Sequence, residues 1–439
     1  MKNILIALAL ASVFTGLIFG QTREARPESR QEPEAMPKHA AIAGEAAIID
    51  AAFARAEAEK QFPMMQSTRR TLHMYPEVSF KEEQTSKIIR EKLDTLGISY
   101  QIAGKYGVVA TIEGEKPGRT VALRADIDAL SIQELTDLEF KSRNEGVMHA
   151  CGHDVHIAML LGAANTLHQN RSRIKGKVRI IFQQAEEMGA GALMMIKAGV
   201  LDDVDAIFGI HQAAEYPSGQ VRVSEKEVMA ANAIFTVKLK GKGGHGAQSH
   251  LAVDALVAAA SMVQNIQTLV SREMPPMEPV VVSVGTLASG TRANIIAETA
   301  EFSGTIRYFN PKLQYAIEDS FKRIVKGIAD AYRVTVDINY LHAGIPVYND
   351  PVLSDLARKT AVSVVGTENV MELGKLMVSE DFAFYQQKLP GVFIFLGAGN
   401  AKKNLPVHNP RYDVVEESMI TGAALHVQFA LNYLDNSYK

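Results

Sequence analysis

Short apolar segments rich in β-branched residues alternate with amphipathic segments through the first half of the chain. Helical periodicity over 41–62 and 84–97 precedes them, and Gly97 stands where a helix C-terminus often has glycine. The strand patterns are VVATIEG, TVALRADI, KVRIIFQQ and DAIFGIH, and the helical patterns are HIAMLLGAANTLHQN and AGALMMIKAG. This alternation predicts an α/β fold with a mainly parallel sheet.

A different pattern follows Ser224. Strand patterns occur in IFTVKLKG, VVSVGTL, AEFSGTIRYF and RVTVDINY, with one helical segment after the first and another after the third. The order β-α-β-β-α-β is that of a ferredoxin-like unit. The α/β pattern then returns with the strand VFIFLGAG and the helix SMITGAALHVQFALNYL. We therefore expect a main domain formed by 41–224 and 342–439, interrupted by an inserted α+β domain over 225–341.

Residues 1–20 have the layout of a secretory signal peptide. A single early cation, Lys2, precedes an apolar run that ends near Gly20. The run is barely long enough for a membrane span, and Ile18 stands where a cleavage site favours a small residue, so an uncleaved membrane anchor is the alternative. Residues 21–40 lack apolar periodicity and predict a flexible linker. The sequence thus predicts an exported protein, periplasmic or secreted.

Composition excludes some classes of partner. The 46 Lys and Arg residues nearly balance the 49 Asp and Glu residues, and no basic stripe interleaved with aromatic residues is present. Nucleic-acid binding is therefore not expected. A small substrate of low net charge is expected instead. The only cysteine, Cys151, excludes an internal disulfide, although an exported protein could form one.

Cys151 lies in MHACGHDVH, which also supplies His149, His153, Asp154 and His156. A lone cysteine is most often a small core residue, and two nearby histidines are a weak metal signal. So many soft ligands at the start of a predicted helix favour a metal site. The helix N-terminus is also expected to favour the thiolate, which is the form that binds metal.

Glu186 and Glu187 follow the strand KVRIIFQQ. Adjacent carboxylates are usually a solvated surface pair. Their place at the carboxyl end of a predicted parallel strand favours a functional interpretation, because ligands of open α/β sheets bind there. Four further residues follow strands in the same way, namely Asp126, Asp128, His211 and His408. The sequence therefore predicts one shared metal site at this edge of the sheet.

A pair of divalent metal ions suits these ligands. Two ions about 3.5–4 Å apart can hold a bridging hydroxide and polarise a scissile carbonyl. One of the adjacent glutamates can bind metal while the other acts as general base and later protonates the leaving amine. Imidazole, thiolate and carboxylate together favour zinc, with manganese, cobalt or nickel as alternatives.

The predicted inserted domain contains a third group of polar residues. GKGGHGAQSH places His245 and His250 in a glycine-rich turn, and TRANIIAE contains Asn294. A glycine-rich turn that holds histidine is as often only a turn. The functional interpretation is a hydrogen-bond donor that covers the site and stabilises a tetrahedral oxyanion.

Together these motifs resemble the dizinc aminoacylase and carboxypeptidase-G-like metallopeptidases, in the subgroup of hippurate hydrolases and plant auxin-conjugate amidohydrolases. The resemblance extends from about Arg70 to the C-terminal helix, and its landmarks are LHMYPEVSFKEEQT, ALRADIDAL, MHACGHD, QQAEE, GIH, GGHGAQSH, RANII, SGTIR, SEDFAFY, LPGVFIFLG and HNPRYD. It implies cleavage of an N-acyl or N-aroyl amino acid to a carboxylate and a free amino acid. The main domain would bind two metal ions and carry out catalysis, and the inserted domain would be a lid and dimerisation domain.

The resemblance also implies a role for each matched residue. The implied metal ligands are Cys151, which bridges two ions, His153 and His211 on one ion, and Glu187 and His408 on the other. Glu186 would be the general base, and Glu380 and Asp381 of SEDF would orient the ligands.

Further implied roles concern the inserted domain. In relatives, a lid histidine that matches His245 reaches the neighbouring subunit's active site, and Asn294 helps to position substrate, whereas His250 is a weaker match. Arg307 in SGTIR would contact the substrate carboxylate. Because relatives dimerise through the inserted domain, a homodimer is implied.

Two residues depart from the subgroup pattern. Ser131 and Gln184 stand where proline is usual, which concerns local loop shape rather than a ligand.

Three other functions compete with the leading one. The same metal centre could serve a dipeptidase or carboxypeptidase. A non-catalytic binding protein would be expected to lack a ligand or the base, and a cysteine hydrolase using Cys151 leaves the glutamates unexplained.

Overall fold

The computed structural model describes residues 51–435, so the predicted signal peptide and linker lie outside the described residues. Its helices are α1 (Ala52–Met74), α2 (Glu83–Leu96), α3 (His153–Gln169), α4 (Gly191–Lys197), α5 (Ala255–Asn265), α6 (Gln314–Tyr332), α7 (Pro351–Val365), α8 (Ala383–Gln386) and α9 (Ser418–Asp435). None of these helices has the length and hydropathy needed to cross a bilayer.

The strands of the same residues, in chain order, are β1 (Tyr100–Ala103), β2 (Gly107–Glu113), β3 (Lys116–Asp126), β4 (Lys175–Gln183), β5 (Ala206–Pro217), β6 (Val221–Arg222), β7 (Lys226–Met229), β8 (Ala231–Lys240), β9 (Gly244–His245), β10 (Val280–Ser289), β11 (Ile295–Ile296), β12 (Thr299–Tyr308), β13 (Thr335–Gly344), β14 (Val347–Asn349), β15 (Val370–Met371) and β16 (Gly391–Gly399).

The large sheet has the strand order β1-β2-β4-β3-β5-β16-β6-β15. Its centre is parallel, since β3 pairs parallel with both β4 and β5, and β5 pairs parallel with β16. These central strands are continuous apolar runs because helices cover both of their faces. On β3, Val121 and Leu123 face the core shared with α1, α3 and α9, while Ala122 faces the opposite core. The prediction of a mainly parallel α/β sheet is confirmed.

A second, antiparallel sheet forms from the chain between β7 and β14. Its order is β10-β12-β8-β13, and α5 and α6 pack on one face of it. The core between helices and sheet contains Phe235, Phe302 and Phe321, with the rings of Phe235 and Phe321 4.6 Å apart. Strand order and connections are those of the ferredoxin-like unit, as expected. The boundaries of the two domains at 225 and 341 stay predictions.

Two helices differ from expectation. The first was predicted to end near Phe62, yet α1 continues through Pro63 to Met74. Its buried stripe, which includes Met65 and Leu72, packs against α3 and α9, and this burial offsets the hydrogen bond that proline removes. Helix α7 was not predicted, although Asp350 caps it by accepting from two backbone N–H groups and Pro351 begins it.

A buried guanidinium joins α1 to the rest of the large domain. Arg69 donates to Asp154 near the start of α3 (2.9 Å), and to Asp413 and Glu416 in the segment before α9 (3.4 and 3.3 Å). Its side chain is only 1% exposed. The pairs are therefore shielded from water, and each partner depends on the other for neutralisation.

Replacing Arg69 is expected to destabilise the protein strongly. In Arg69→Met, Asp154 would stay buried with less compensation, which predicts a loss of about 3–5 kcal/mol in the free energy of unfolding. Urea denaturation followed by circular dichroism measures it. The matched control is Arg55→Met, because Arg55 pairs with Glu59 on the exposed side of the same helix, where a loss of at most about 1 kcal/mol is expected. Equal losses in the two variants would contradict this account of Arg69.

Candidate metal centre

The ligand atoms of the five predicted metal-binding residues lie together at one end of the large sheet. Those of Cys151, His153 and His211 lie within 4.8 Å of one another, and so do those of Cys151, Glu187 and His408. The two groups share Cys151. The Sγ atom of Cys151 is 3.4 Å from Nε2 of His211, and Oε2 of Glu187 is 3.5 Å from Nε2 of His408. This geometry suits two adjacent cations with the thiol between them.

Glu186 and Glu187 have different surroundings although they are adjacent. Glu187 lies between two histidines, with Oε1 3.9 Å from Nε2 of His153 and Oε2 facing His408. Glu186 also lies within reach of His153, but it forms a second cluster with Glu380 and Asp381. This geometry favours Glu187 as the ligand and leaves Glu186 as a carboxyl beside the predicted ligands.

Backbone conformation places Cys151 and His153. Gly152 between them has φ of 80°, and a side chain there would lie 1.7 Å from Nε2 of Gln212. That Nε2 donates to the carbonyl oxygen of Cys151 at 3.1 Å. Glycine is therefore required at 152 both for the left-handed backbone and for the close approach of Gln212. It lets the thiol and the first imidazole of α3 reach the same site.

His408 arrives from a loop with a similar constraint. Its φ of 64° is left-handed, which is uncommon for a residue other than glycine. Its backbone N–H donates to the carbonyl oxygen of Ala150 at 2.8 Å. The loop after β16 is thereby fastened to the segment that carries Cys151. At 51% exposure, the imidazole of His408 is the open side of the site.

Hydrogen bonds orient the other imidazoles. Nδ1 of His211 donates to the carbonyl oxygen of Gln212 at 2.7 Å, which leaves the Nε2 lone pair facing Cys151. His156 has both ring nitrogens occupied, by Asp126 at 2.6 Å and by the backbone N–H of Gln212 at 3.1 Å. It therefore supports the strand that carries His211 instead of binding metal itself. The sequence predicted that His211 follows its strand, but β5 continues through His211 to Pro217.

Two of the predicted ligands have buried atoms that need a partner. Nε2 of His153 and Oε1 of Glu187 are buried and lack a hydrogen bond among the described residues, whereas Nδ1 of His153 lies 3.3 Å from Oδ1 of Asp128. Burying such atoms unpaired is costly. Bound cations would satisfy them, and the mixture of imidazole, thiol and carboxylate suits zinc or a similar divalent ion. The residues present therefore fit the metal pair that the sequence predicted.

Electrostatics at the centre follow from burial and from the carboxylates. Burial, reinforced by Glu187 and Glu186, raises the pKa of the Cys151 thiol well above its usual range. The expected stabilisation of the thiolate by the helix N-terminus is therefore outweighed in the metal-free protein. Burial and the neighbouring Glu380 likewise raise the pKa of Glu186. For His153, burial lowers the pKa but the carboxylates, Asp126 foremost, raise it to about 10. The metal-free site has an excess of negative charge that a cation would neutralise.

Arg124 was not identified as a candidate from the sequence. Its buried guanidinium binds carboxylates that lie beside the predicted ligands. Its guanidinium donates to Asp126 at 2.6 Å, Glu380 at 2.9 Å and Asp381 at 3.0 Å, and its Nε donates to Gln183 at 2.8 Å. Glu380 and Asp381 thus bind the guanidinium rather than a histidine. A signal was present, because an arginine inside the apolar strand TVALRAD must find buried counter-charges.

Gln184, which replaces the usual proline, also has a structural explanation. Its Oε1 accepts the backbone N–H groups of Lys105, Tyr106 and Gly107, the last at 3.0 Å. The side chain therefore fastens the β1–β2 connection to the end of β4. Proline could accept none of these bonds from its side chain.

The candidates of the inserted domain lie outside these ligand groups. His245 pairs with Ile295 between β9 and β11, next to Asn294, and both line an open depression of about 760 Å³. The exposed His250 lies in the 3₁₀ helix that follows, Gly246–Leu251, rather than in the predicted turn. Arg307 on β12 donates to Oγ of Ser379 at 2.8 Å, directly before Glu380. Arg307 is therefore the candidate that the structure brings to the large domain.

Comparisons with known proteins extend this picture. Residues 122–432 match the family described as "Peptidase family M20/M25/M40". A similar curated protein is thermostable carboxypeptidase 1 of Saccharolobus solfataricus, 41% identical over 83% of this chain and 94% of the relative. IAA-amino acid hydrolase ILR1-like 4 of Arabidopsis thaliana is 38% identical over 85% of this chain and 86% of that protein.

A solved structure is similar in sequence and in fold. It is the YXEP protein of Bacillus subtilis, described as a dinuclear metal binding peptidase from the M20 family, with 34% identity and a TM-score of 0.76. The match covers 86% of this chain and 99% of that one. The family resemblance expected from the motifs is thereby confirmed.

Metal should stabilise the folded chain. Zinc added to chelated protein at 100 times its dissociation constant is expected to add about 2.7 kcal/mol per site to the free energy of unfolding. The unfolding temperature measures this, and elemental analysis is expected to give two ions per chain. Cys151→Ala should abolish most of the shift, whereas His168→Ala, at the far end of α3, should keep it. A zinc shift that survives in Cys151→Ala would argue against the shared thiol.

Proposed function

Because this chain belongs to peptidase family M20/M25/M40, we propose that it is a metal-dependent amidohydrolase that cleaves the amide bond of N-acyl or N-aroyl amino acids. The products are a carboxylate and a free amino acid. The proposal rests above all on one observation, the convergence of Cys151, His153, His211, Glu187 and His408 beside the carboxyl of Glu186. A scaffold that only bound ligands would not need both a full ligand set and an adjacent base.

Two divalent ions held by these five residues would supply Lewis-acid activation of the scissile carbonyl and of the attacking water. The protein's own residues do the rest. Glu186 Oε accepts the proton of the water and passes it to the amide nitrogen that leaves. Its carboxyl is suited to this because Glu187, and not Glu186, faces His408. Arg124 supports the base indirectly, because its guanidinium forms ion pairs with Glu380 and Asp381, the two carboxyls next to Glu186.

His245 is proposed as the donor for the developing oxyanion. Its Nδ1 accepts the backbone N–H of Ala247 at 3.1 Å. The neutral ring therefore carries its proton on Nε2, which is then available to donate. Asn294 adjoins it, since its carbonyl oxygen accepts the N–H of Gly246 at 2.9 Å. Together they would approach the substrate from the inserted domain, from the same or a neighbouring subunit.

Cleavage of peptides is the second candidate. The similarity to a thermostable carboxypeptidase supports it, and the same metal ligands would serve a peptide bond. Arg307 would bind the substrate's carboxylate in either reaction. Substrate length and the kind of acyl group that is accepted separate the two functions.

Amino-acid release from a panel of substrates tests both candidates. With zinc or manganese, N-acetyl-amino acids and hippurate are expected to be cleaved faster than dipeptides, and a chelator should abolish release. Faster cleavage of dipeptides would favour the peptidase. Release by verified metal-free protein would favour Cys151 as nucleophile, and no release by metal-loaded protein would favour a binding protein.

The general base is tested by Glu186→Gln. We expect kcat to fall by about 10²–10⁴-fold with unchanged metal content, because the amide cannot accept the proton. Glu187→Gln is expected to lose metal as well as activity. Glu215→Gln, at an exposed position of β5, is the matched control and should behave like wild type. Wild-type kcat in Glu186→Gln would rule out the proposed base.

The inserted domain is also proposed to form a homodimer. Strand β10 is an edge of its sheet, and it exposes Val281 by 40% and Leu287 by 49%. Nearby in the same domain, Leu256 and Ile295 are exposed by 44% and 48%. An edge strand with exposed apolar side chains is a ready surface for pairing with another chain.

Charge placed on β10 should disrupt this dimer. Leu287→Asp is expected to give a monomer in light scattering after gel filtration, because burying the carboxylate in an interface is unfavourable. The control is Leu341→Asp on β13, the opposite edge, where the leucine is 43% exposed. If Leu341→Asp dissociates the dimer and Leu287→Asp does not, the interface lies at β13 and the proposal of β10 is wrong.

A further inference from the structure

Two buried carboxyl groups hold the backbone that carries Glu186 and Glu187. Oε1 of Glu82 accepts the N–H of Ala185 at 2.7 Å. Oδ1 of Asp128 accepts the N–H of Glu186, and Oδ2 accepts that of Glu187, both at 3.1 Å. Three successive N–H groups thus point at carboxyl oxygens, an arrangement that forms a concave anion site in the backbone. The turn after β4 is shaped by these side chains.

Both sides of this contact have an unfavourable backbone conformation. Ala185 has φ of 54° and Phe80 has φ of 65°, and neither is glycine. Phe80 lies between Ser79, which donates to Asp128 at 2.6 Å, and Glu82. Its ring is 40% exposed, so packing does little to offset the conformation. The left-handed backbone lets this short segment present both Ser79 and Glu82 to the turn.

Glu82 itself is unusual for a carboxyl group. Its side chain is fully buried, and Oε2 has no hydrogen-bond partner in the part of the chain that the structure describes. Within residues 51–435 it forms no ion pair, and burial together with the neighbouring Asp128 raises its pKa to about 7. A buried carboxyl without a counter-ion does not favour folding. The contact through which it acts on the structure is the hydrogen bond that it accepts from the N–H of Ala185.

We propose that Glu82 is a positioning residue: by accepting the N–H of Ala185 it keeps the turn left-handed and thereby sets where the carboxyls of Glu186 and Glu187 point. The consequence for catalysis rests on the proposed function of those two glutamates. The hydrogen bond and its effect on the turn do not depend on that function. What is needed at position 82 is an acceptor oxygen of the right reach, so glutamine should substitute and leucine should not.

Amide hydrogen exchange in metal-free protein tests the contact directly. In Glu82→Leu, exchange at Ala185, Glu186 and Glu187 is expected to rise by about tenfold or more, with little change elsewhere. Glu82→Gln should exchange like wild type. Glu83→Gln is the matched control, because Glu83 is the exposed neighbour at the start of α2. If the leucine variant is insoluble, Glu82→Ala takes its place.

Kinetics with the best substrate of the panel test the consequence. Glu82→Leu is expected to lower kcat by about tenfold or more with little change in KM, because a displaced base slows chemistry more than binding. Rescue by glutamine separates positioning from general stability. Wild-type exchange and kcat in Glu82→Leu, faster exchange over the whole chain, or equal impairment of the glutamine variant would each overturn the proposal. Inactive wild-type protein would instead contradict the proposed function, while the exchange data would still decide the contact.

Discussion

The site depends on one buried guanidinium at the centre of the large sheet. Arg124 faces Asp126, Glu380 and Asp381, all nearly inaccessible to water. Without it, these carboxylates would be buried together without compensation, which is strongly unfavourable. With it, Asp126 can hold His156, which in turn accepts the backbone N–H next to His211. Hydrogen bonds thus connect these ion pairs with the backbone next to His211, one of the proposed metal ligands.

Left-handed backbone recurs where the chain turns into this site. Gly152 precedes His153, Ala185 precedes Glu186, and His408 has such a conformation itself. For residues other than glycine this conformation is strained, and it persists only where the surrounding structure determines it. Contacts from other elements do so here, such as the hydrogen bonds of Glu82 to Ala185 and of His408 to Ala150. The functional side chains are therefore oriented by the parts of the fold that surround them.

Much of the fold followed from local patterns. Helix α2 ends at the predicted Gly97, whose φ of 70° only glycine adopts readily. The central strands and the ferredoxin-like order followed from apolar runs and their alternation with helices. The end of α1 did not, because Pro63 indicates a break while the burial of Met65 and Leu72 is a property of the packed structure. The raised pKa of Cys151 was also missed, since it depends first on burial and then on carboxylates distant in sequence.

The sequence by itself determined which residues were candidates, because a thiol, several imidazoles and adjacent carboxylates near the ends of successive predicted strands favour one shared metal site over separate structural roles. The resemblance implied how Glu186 and Glu187 divide the work, and only the tertiary structure supplied contacts that favour this division. In the tertiary structure both ring nitrogens of His156 have protein partners, Glu187 lies opposite His408, and Glu186 lies next to Glu380. The physical reason is that hydrogen bonding, burial and like-charge repulsion act through space. Residues such as Glu82 and Arg124 acquire their roles only when segments far apart in the chain meet at one edge of the sheet.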